Sequence, residues 1–291
     1  MSSKEAQKMT VTTEPSSTMN GGTVNAVVTI TGDRDDKVRA ATARLVRTAL
    51  RKTVETDVFW RGYHDEVLPH DEVVAEAPLT DAGGNLGPGD HPVSFAVPDD
   101  ALPSAAKVVS WSVKAIIERH HGIDVKAEAP VQVLVGPERF AEVATSEAWY
   151  AGERFLELEL HTRSLRPGDV ISGKILVRPT RALTLTSLIA GLARTVGTES
   201  EGVVTKGVLD EQLDLQAGGA RDYPFELTVP DDAQPTVVGS ATTPPCASHI
   251  SWVTTAVAHL LLAPGEYGER PSVACRVNVY NAAVTPTDSG N

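Results

Sequence analysis

The stretch VNAVVTITGDRDDKVRAATARLVRT, residues 24–48, decides the fold because its pattern occurs a second time in the chain. The later stretch ISGKILVRPTRALTLTSLIAGLART, residues 171–195, aligns with it without a gap, at an offset of 147 residues. Both stretches place β-branched and apolar residues at alternating positions, which is typical of strands. Similarity at a fixed offset indicates an internal duplication when further matches follow in the same order.

Two further matches follow in order and extend the duplication. HPVSFAVPDD, residues 91–100, aligns with YPFELTVPDD, residues 223–232, at an offset of 132. The Ser-Trp pair at Trp111 aligns with the Ser-Trp pair at Trp252, at an offset of 141. Each change of offset marks residues that only one copy has. Repeat one is therefore predicted to carry an insertion between its first two matches, and repeat two an insertion before its tryptophan.

A proline stands nineteen residues beyond each tryptophan, Pro130 in repeat one and Pro271 in repeat two, and keeps the offset of 141. We interpret this pair as a fourth match. The whole set predicts two domains of ordinary size, residues 7–137 and 153–282, with residues 138–152 as their connector. The sequence of the connector is compatible with a short packed helix and with an extended linker.

Alternation of apolar and polar residues continues through both repeats and predicts an all-β fold. A helix over residues 39–53 is the main alternative, but the matching residues 183–196 are rich in threonine and contain Gly191. Turn residues at short intervals predict two tandem seven-stranded immunoglobulin-like β-sandwiches, with Trp111 and Trp252 in their cores. In three predicted strands of repeat one, alternate residues are expected to share one face. They are Val38, Ala40 and Thr42 in the first strand, Trp111, Val113, Ala115 and Ile117 in the second, and Val125, Ala127, Ala129, Val131 and Val133 in the third.

Three stretches carry a family pattern. LRPGDVISGKILV (residues 165–177) has a Pro-Gly-Asp turn before a Ser-Gly strand, and YPFELTVPDDAQPTVVGS (residues 223–240) has an aromatic-Pro-Phe strand that ends in Pro-Asp. SWSVKAIIERHHGID (residues 110–124) has a tryptophan followed by Val-Lys-Ala. In these features the chain resembles the arrestin-like superfamily, which includes the bacterial sporulation-control protein Spo-zero-M. Repeat one departs from the pattern, because Asn20-Gly21-Gly22 stands where the Pro-Gly-Asp turn is expected.

The resemblance implies two arrestin-like domains that bind protein partners and need no cofactor. The family's phosphate-sensing basic residues and regulatory tail cannot be placed on this sequence, so only the fold and the binding-protein class are carried over. The abundance of Ala, Val, Arg and Asp suggests a GC-rich bacterial genome, which favours the Spo-zero-M relatives. We therefore expect a non-enzymatic intracellular adaptor or scaffold in bacterial stress or developmental (sporulation-type) control. Homo-oligomerisation is left open.

Composition narrows the partner classes. The net charge of −12 repels phosphate backbones, so nucleic acid and anionic membrane surfaces are poor partners. The densest apolar run, AVAHLLLA, is far shorter than the roughly 18 residues that a membrane helix needs. The first residues, MSSKEAQKMTVTTE, lack the apolar core of a secretory signal. Only two cysteines occur, Cys246 and Cys275, and this fits a reducing compartment. The expected location is the cytoplasm.

The predicted insertion of repeat one is the candidate partner-binding site. Residues 54–92 are strongly acidic, and residues 54–71 are expected to form a loop that contacts the partner. Aromatic side chains ringed by charge are typical of protein-binding hot spots. The alternative is a solvated acidic hairpin whose aromatic residues cover the end of the sheet. The residues predicted to bind the partner are Phe59, Trp60, Tyr63, Asp65 and Glu66.

Other chemistry has weaker support. His64, Asp65, His70 and Asp71 could in principle hold zinc, but their spacing is loose and no cysteine joins them, so no metal is predicted. The sequence contains no Gly-X-Ser-X-Gly, phosphate-binding or dinucleotide-binding motif, so no catalytic residue and no cofactor are predicted. The alternatives to an adaptor are an extracellular β-sandwich that binds carbohydrate or calcium and an uncharacterised enzyme.

Overall fold

The computed structural model describes residues 8–32, 36–57, 62–80, 85–119, 123–140, 148–197, 199–238, 249–261 and 270–282. Strands dominate this part of the chain, which contains no α-helix and one short 3-10 helix, Pro137–Phe140. The predicted all-β class is confirmed. The chain divides between Val135 and Gly136 into two compact units, called unit 1 and unit 2.

Unit 1 contains two antiparallel sheets that pack on each other. The smaller sheet has the order β1-β3-β7, and the larger sheet has the order β2-β9-β8-β4-β5 with β6 beside β4. The strands are β1 (Lys8–Thr13), β2 (Ser17–Met19), β3 (Thr23–Thr31), β4 (Asp36–Asp57), β5 (Gly62–Pro78), β6 (Asn85–Leu86), β7 (Gly89–Ala96), β8 (Val109–Arg119) and β9 (Val125–Leu134). Within the larger sheet, β2 alone runs parallel to its neighbour.

Unit 2 repeats this arrangement. Its smaller sheet has the order β11-β13-β16, and its larger sheet has the order β10-β18-β17-β14-β15 with β12 parallel to β18. The strands are β10 (Trp149–Ala151), β11 (Leu156–Leu160), β12 (Ser164–Leu165), β13 (Val170–Val177), β14 (Leu183–Val196), β15 (Glu199–Leu215), β16 (Arg221–Thr228), β17 (Ile250–Leu260) and β18 (Ser272–Val279). In the described residues each unit has seven strands of five or more residues and two shorter ones.

The hydrogen-bonding registers confirm the duplication. Arg47 stands opposite Trp111 where β4 pairs with β8, and Arg194 stands opposite Trp252 where β14 pairs with β17. These pairs keep the offsets of 147 and 141 that the sequence predicts. Because register decides which side chains face the core, equal registers give the two units equivalent inner and outer faces.

The fourth sequence match is wrong. Trp111 stands opposite Val131, whereas Trp252 stands opposite Val277, so the last strands are related by an offset of 146. Pro130 lies inside β9, while Pro271 precedes β18. The connection from β17 to β18 is longer than the one from β8 to β9, and a constant count from the tryptophan cannot detect that difference.

The core positions of β8 are as predicted, but those of β4 are not. Trp111, Val113, Ala115 and Ile117 are all buried on one face. In β4 the buried residues that face the core are Val38 and then Ala41, Ala43 and Leu45, while Val46 is buried on the other face, opposite Ser112. A register shift between Val38 and Ala40 inserts one residue into the strand and reverses the alternation beyond it. The expected inward positions Ala40 and Thr42 are therefore only half-buried.

The turn that departs from the family pattern in repeat one has a backbone conformation similar to that of its counterpart. Gly21 has a φ of 75° and Gly168 a φ of 82°, a left-handed conformation that favours glycine. The amide of Gly21 donates to the Pro98 carbonyl at 3.1 Å, whereas that of Gly168 donates to the Val229 carbonyl at 3.0 Å, one residue earlier in the alignment of the repeats. The glycine is therefore the requirement of this turn, and the proline before Gly168 is dispensable.

Candidate functional site

The predicted insertion is a continuation of the β4–β5 hairpin. In unit 2 the equivalent hairpin ends at the pair Val196↔Glu199. In unit 1 the pairing continues for eight further pairs, from Leu50↔Pro69 to Asp57↔Gly62. Regular strands thus replace the loop expected over residues 54–71, because consecutive backbone groups on both sides find partners. Residues 58–61, between the two strands, lie outside the described part of the chain.

This continuation extends beyond its own sheet. The ladder of β4 with β8 ends at Ala49↔Val109, with one further hydrogen bond from the Leu50 amide to the Val108 carbonyl at 3.4 Å. In the described part of the chain, the strand pairing of β4 beyond that point is with β5. Eight pairs at about 3.4 Å per residue give a two-stranded ribbon about 27 Å long. We call residues 50–57 with residues 62–69 the ribbon.

Three of the five predicted partner-binding residues belong to the described backbone of the ribbon. Phe59 and Trp60 are outside the described residues, so their binding role stays a prediction. Tyr63, Asp65 and Glu66 belong to the backbone of β5. Their side chains are also outside the described part, and their binding role is likewise a prediction.

Closer to the sheet, the ribbon presents apolar side chains to solvent. Val67 is 47% exposed and Leu68 is 41% exposed. The two residues are consecutive in a strand, so they project from opposite faces of the ribbon. They stand opposite Lys52 and Arg51 of β4. The face that carries Leu68 therefore combines an exposed apolar side chain with the exposed side chain of Arg51.

Ion pairs fix β5 to the sheet where the ribbon begins. Lys114 Nζ lies 2.5 Å from Asp71 Oδ2, and the hydroxyl of Thr48 donates to Asp71 Oδ1 at 2.6 Å. Hydrogen bonds from Lys114 and Thr48 lower the pKa of the Asp71 carboxyl, against a smaller opposing effect of burial. In the neighbouring pair of residues, Arg47 of β4 forms an ion pair with Glu72 of β5. These contacts cross three strands, because Lys114 belongs to β8.

The four weak metal candidates do not form one site. His64 and His70 are six residues apart on one strand, which separates their backbones by about 20 Å. His70 and Asp71 are consecutive and project to opposite faces. Both oxygens of Asp71 already accept hydrogen bonds. Across the described residues no group of three His, Cys, Asp or Glu side chains comes together.

Sequence reasoning missed a shallow groove in unit 1. It lies beside Trp111, and its polar lining consists of Ser16, Ser104, Ser110 and Gln132. These side chains can donate and accept hydrogen bonds, but none of the residues lining the groove titrates near neutral pH. The groove therefore offers no general acid or base for catalysis.

Comparison with known proteins does not extend these observations. No protein-family model matches the chain, and no curated protein matches it.

Among the described residues, no helix has the length and apolar character required to cross a membrane.

Proposed function

We propose that the chain is a non-enzymatic adaptor that binds protein partners through the ribbon. The observation that carries this proposal is the length of the β4–β5 hairpin. Its counterpart in unit 2 forms the same sheet and ends eight pairs earlier. The fold therefore does not need the ribbon, and a segment that the fold does not need is free to serve binding.

The chemistry of the ribbon supports a protein partner. β5 is the last strand in its sheet order, and a free strand edge can accept another strand through main-chain hydrogen bonds. Exposed Val67 and Leu68 supply apolar contact on either face. Phe59 and Trp60 are the aromatic anchors of this proposal, while Asp65 and Glu66 steer the approach of the partner.

Family and setting are part of the same proposal. Two tandem units whose seven longer strands have matching sheet orders support an arrestin-like adaptor related to Spo-zero-M, acting in bacterial stress or developmental control. Cys275 is a buried free thiol whose pKa is raised by burial. An unreactive thiol of this kind is compatible with the cytoplasm.

The test shortens the ribbon to the length of its counterpart. Residues 50–69 are replaced by Gly-Thr, the dipeptide that follows Val196 in repeat two. Partners captured from the native host by the wild-type chain are identified by mass spectrometry, and the binding of each purified partner to both proteins is then measured. We expect the shortened protein to keep its strand-rich circular dichroism spectrum and to lose the partner.

Point variants refine the test. Phe59→Ala or Trp60→Ala is expected to make the free energy of binding to the partner less favourable by about 2 kcal/mol. The double change Asp65→Asn and Glu66→Gln is expected to slow association and leave dissociation nearly unchanged. Full binding of the partner by a folded, shortened protein would contradict the assignment of the ribbon. A substrate turned over in a broad activity screen would contradict the non-enzymatic class.

A further inference from the structure

The outer faces of the two larger sheets differ at equivalent positions. In unit 1 the row that crosses the middle of the sheet is Glu76–Arg44–Lys114–Glu128, in which every residue is charged. In unit 2 the same row is Lys206–Gly191–Thr255–Ala274, with a single charge. The row in unit 1 contains the ion pairs Arg44–Glu76 at 2.8 Å and Lys114–Glu128 at 3.9 Å.

The flanking rows are largely apolar in both units. On one side of the middle row of unit 2 lie Val203, Ala193 and Val253, and on the other side lie Val208, Ile189 and Val257. The equivalent residues of unit 1 are Val73, Val46 and Ser112, and Pro78, Thr42 and Ile116. In unit 1 the charged middle row separates these apolar rows, and the outer face of an antiparallel sheet that meets water is normally polar. In unit 2 the middle row has a single charge, so the apolar rows form one continuous surface.

Exposure shows that this face is not part of the core of unit 2. Val203 is 55% exposed, Val208 is 51% exposed, and Trp149, on the far side of Ala274, is 45% exposed. A Cβ added to Gly191 would lie 3.0 Å from Cγ1 of Val203 and 3.4 Å from Oγ1 of Thr255. The side chains of Val203 and Thr255 thus lie against the backbone of Gly191, and the residues that follow in this row, Thr255 and Ala274, are small. Contiguous exposed apolar surface of this kind marks an interaction site.

We propose that this face packs against the same face of a second copy of the chain. Two antiparallel sheets pack face to face at about 10 Å when their facing side chains are small and apolar. Four strands about 4.8 Å apart and the nine residues from Ser187 to Thr195 span roughly 600 Å². A standard interface buries about 800 Å² per partner. The sheet face supplies most of this area, and the surrounding rim supplies the rest.

The charges on the face select the geometry of the pair. Its three central rows contain two cations, Lys206 on β15 and Arg276 on β18, and no described carboxylate. A two-fold axis parallel to the strands places Lys206 against the edge of the other copy that carries Trp149. The ring of Trp149 already has Arg276 of its own chain at 6.0 Å from its centroid, and an indole ring attracts cations on both of its faces. The same axis places Arg276 opposite Val203. An axis perpendicular to the strands would bring the two copies of Lys206 together, which is unfavourable.

The inference is tested by the mass of the full chain in solution and does not depend on the ribbon. Analytical ultracentrifugation over a range of concentrations measures a monomer–dimer equilibrium, since one chain has a mass of 30.8 kDa. Val203→Arg is expected to raise the dissociation constant at least about ten-fold, because it places a third cation on the face. Val208→Arg repeats the change in another row.

The duplication provides a matched control. Val73 stands opposite Val46 as Val203 stands opposite Ala193, and Val73 is 48% exposed. Val73→Arg is therefore the same change at the equivalent place in unit 1, and it is expected to leave the dimer unchanged. Circular dichroism and melting temperatures confirm that each variant is folded.

Other results of these experiments would show that the apolar face of unit 2 does not bind a second copy of the chain. A wild-type chain that stays monomeric up to high concentration would overturn the proposal, and co-sedimentation of that monomer with phosphatidylglycerol vesicles would assign the face to a membrane. Equal loss of the dimer in Val73→Arg and Val203→Arg would overturn it as well. The ribbon-shortened protein should still dimerise, so failure of the proposed function and failure of this inference give different results.

Discussion

The indole nitrogen of Trp252 donates a hydrogen bond to the backbone carbonyl oxygen of Gln234, with 3.0 Å between the two atoms. In unit 1 the indole nitrogen of Trp111 donates to the carbonyl oxygen of Leu102, also at 3.0 Å. Both rings are at most 2% exposed. Each bond thus satisfies the one polar atom that the ring carries into the core. The prediction that both tryptophans are core residues is confirmed.

Replacing either tryptophan should destabilise its own unit. Trp111→Ala and Trp252→Ala should each lower the free energy of unfolding by about 3–5 kcal/mol, because a large cavity replaces the ring. Trp252→Phe should cost less than Trp252→Ala, because it keeps most of the apolar volume and mainly loses the hydrogen bond to the Gln234 carbonyl. Urea unfolding of the full chain measures these differences. A cost below about 1 kcal/mol, the size typical of surface changes, would contradict the core role.

Asp71→Asn should destabilise unit 1 in a pH-dependent way. Folding lowers the pKa of this carboxyl below its usual value, chiefly through the hydrogen bond from Lys114. The stabilisation is therefore complete above the unfolded pKa of about 3.9, and it is lost as the pH falls through the lowered folded value. At pH 7 the expected loss is up to about 1 kcal/mol, since the pair is half exposed.

Urea unfolding at a series of pH values from 7 downward measures the difference between wild type and Asp71→Asn, and the two should converge in acid. A double-mutant cycle with Lys114→Met isolates the pair. A difference that stays constant across this range would show that the carboxyl does not act through its charge.

Gly168→Ala should destabilise unit 2 by about 1–2 kcal/mol, the cost of a left-handed conformation for a residue with a side chain. The φ of Gly168 is 82°, and an added Cβ would lie 2.9 Å from Oδ1 of Asp231. Gly207→Ala is the control, because its added Cβ would meet only Cδ2 of Leu227, at 3.9 Å. Thermal unfolding followed by circular dichroism compares the two variants. Equal melting temperatures would mean that the turn does not require glycine.

Thr254→Val should leave unit 2 equally stable or more stable. Thr254 is fully buried, and its hydroxyl has no hydrogen-bond partner among the described residues. The equivalent residue in unit 1 is Val113, which is also fully buried. Removing an unsatisfied buried hydroxyl should gain about 1 kcal/mol, and the reverse change Val113→Thr should cost a similar amount or more. Urea unfolding of both variants checks the signs; a destabilised Thr254→Val would indicate a hydrogen bond to that hydroxyl.

Much of the fold could be predicted because the duplication provides two independent sequences for one arrangement of strands. Residues 39–53 alone are compatible with a helix, and their match in repeat two favours a strand, which is what the structure contains. The alternation in β8 predicts its buried face correctly, because the shift in its pairing with β4 inserts the extra residue into β4 and leaves β8 regular. Trp111 and Trp252 identify the two cores because they occupy matched positions in the two repeats.

The remaining features depend on contacts between residues that are distant in the chain. The register shift after Val38 has no signature in the residues around it, so the parity of β4 could not be predicted. The insertion was located correctly, but its regular structure depends on pairing between residues 50–57 and residues 62–69. The apolar face of unit 2 emerges only when Gly191, Thr255 and Ala274 are placed side by side by three strands.

Because the two units have equal registers, a strand of one repeat could pair with strands of the other while the chain is being synthesised. As the chain leaves the ribosome, β17 presents the same pattern of backbone donors and acceptors as β8, and strand exchange between neighbouring repeats is a common form of misassembly. An exchange of β17 for β8 would place Thr255 beside Arg44 and leave Asp71 without Lys114. The difference between the two outer faces therefore favours the correct pairing, because an exchanged strand would lose the ion pair between Lys114 and Asp71 in unit 1.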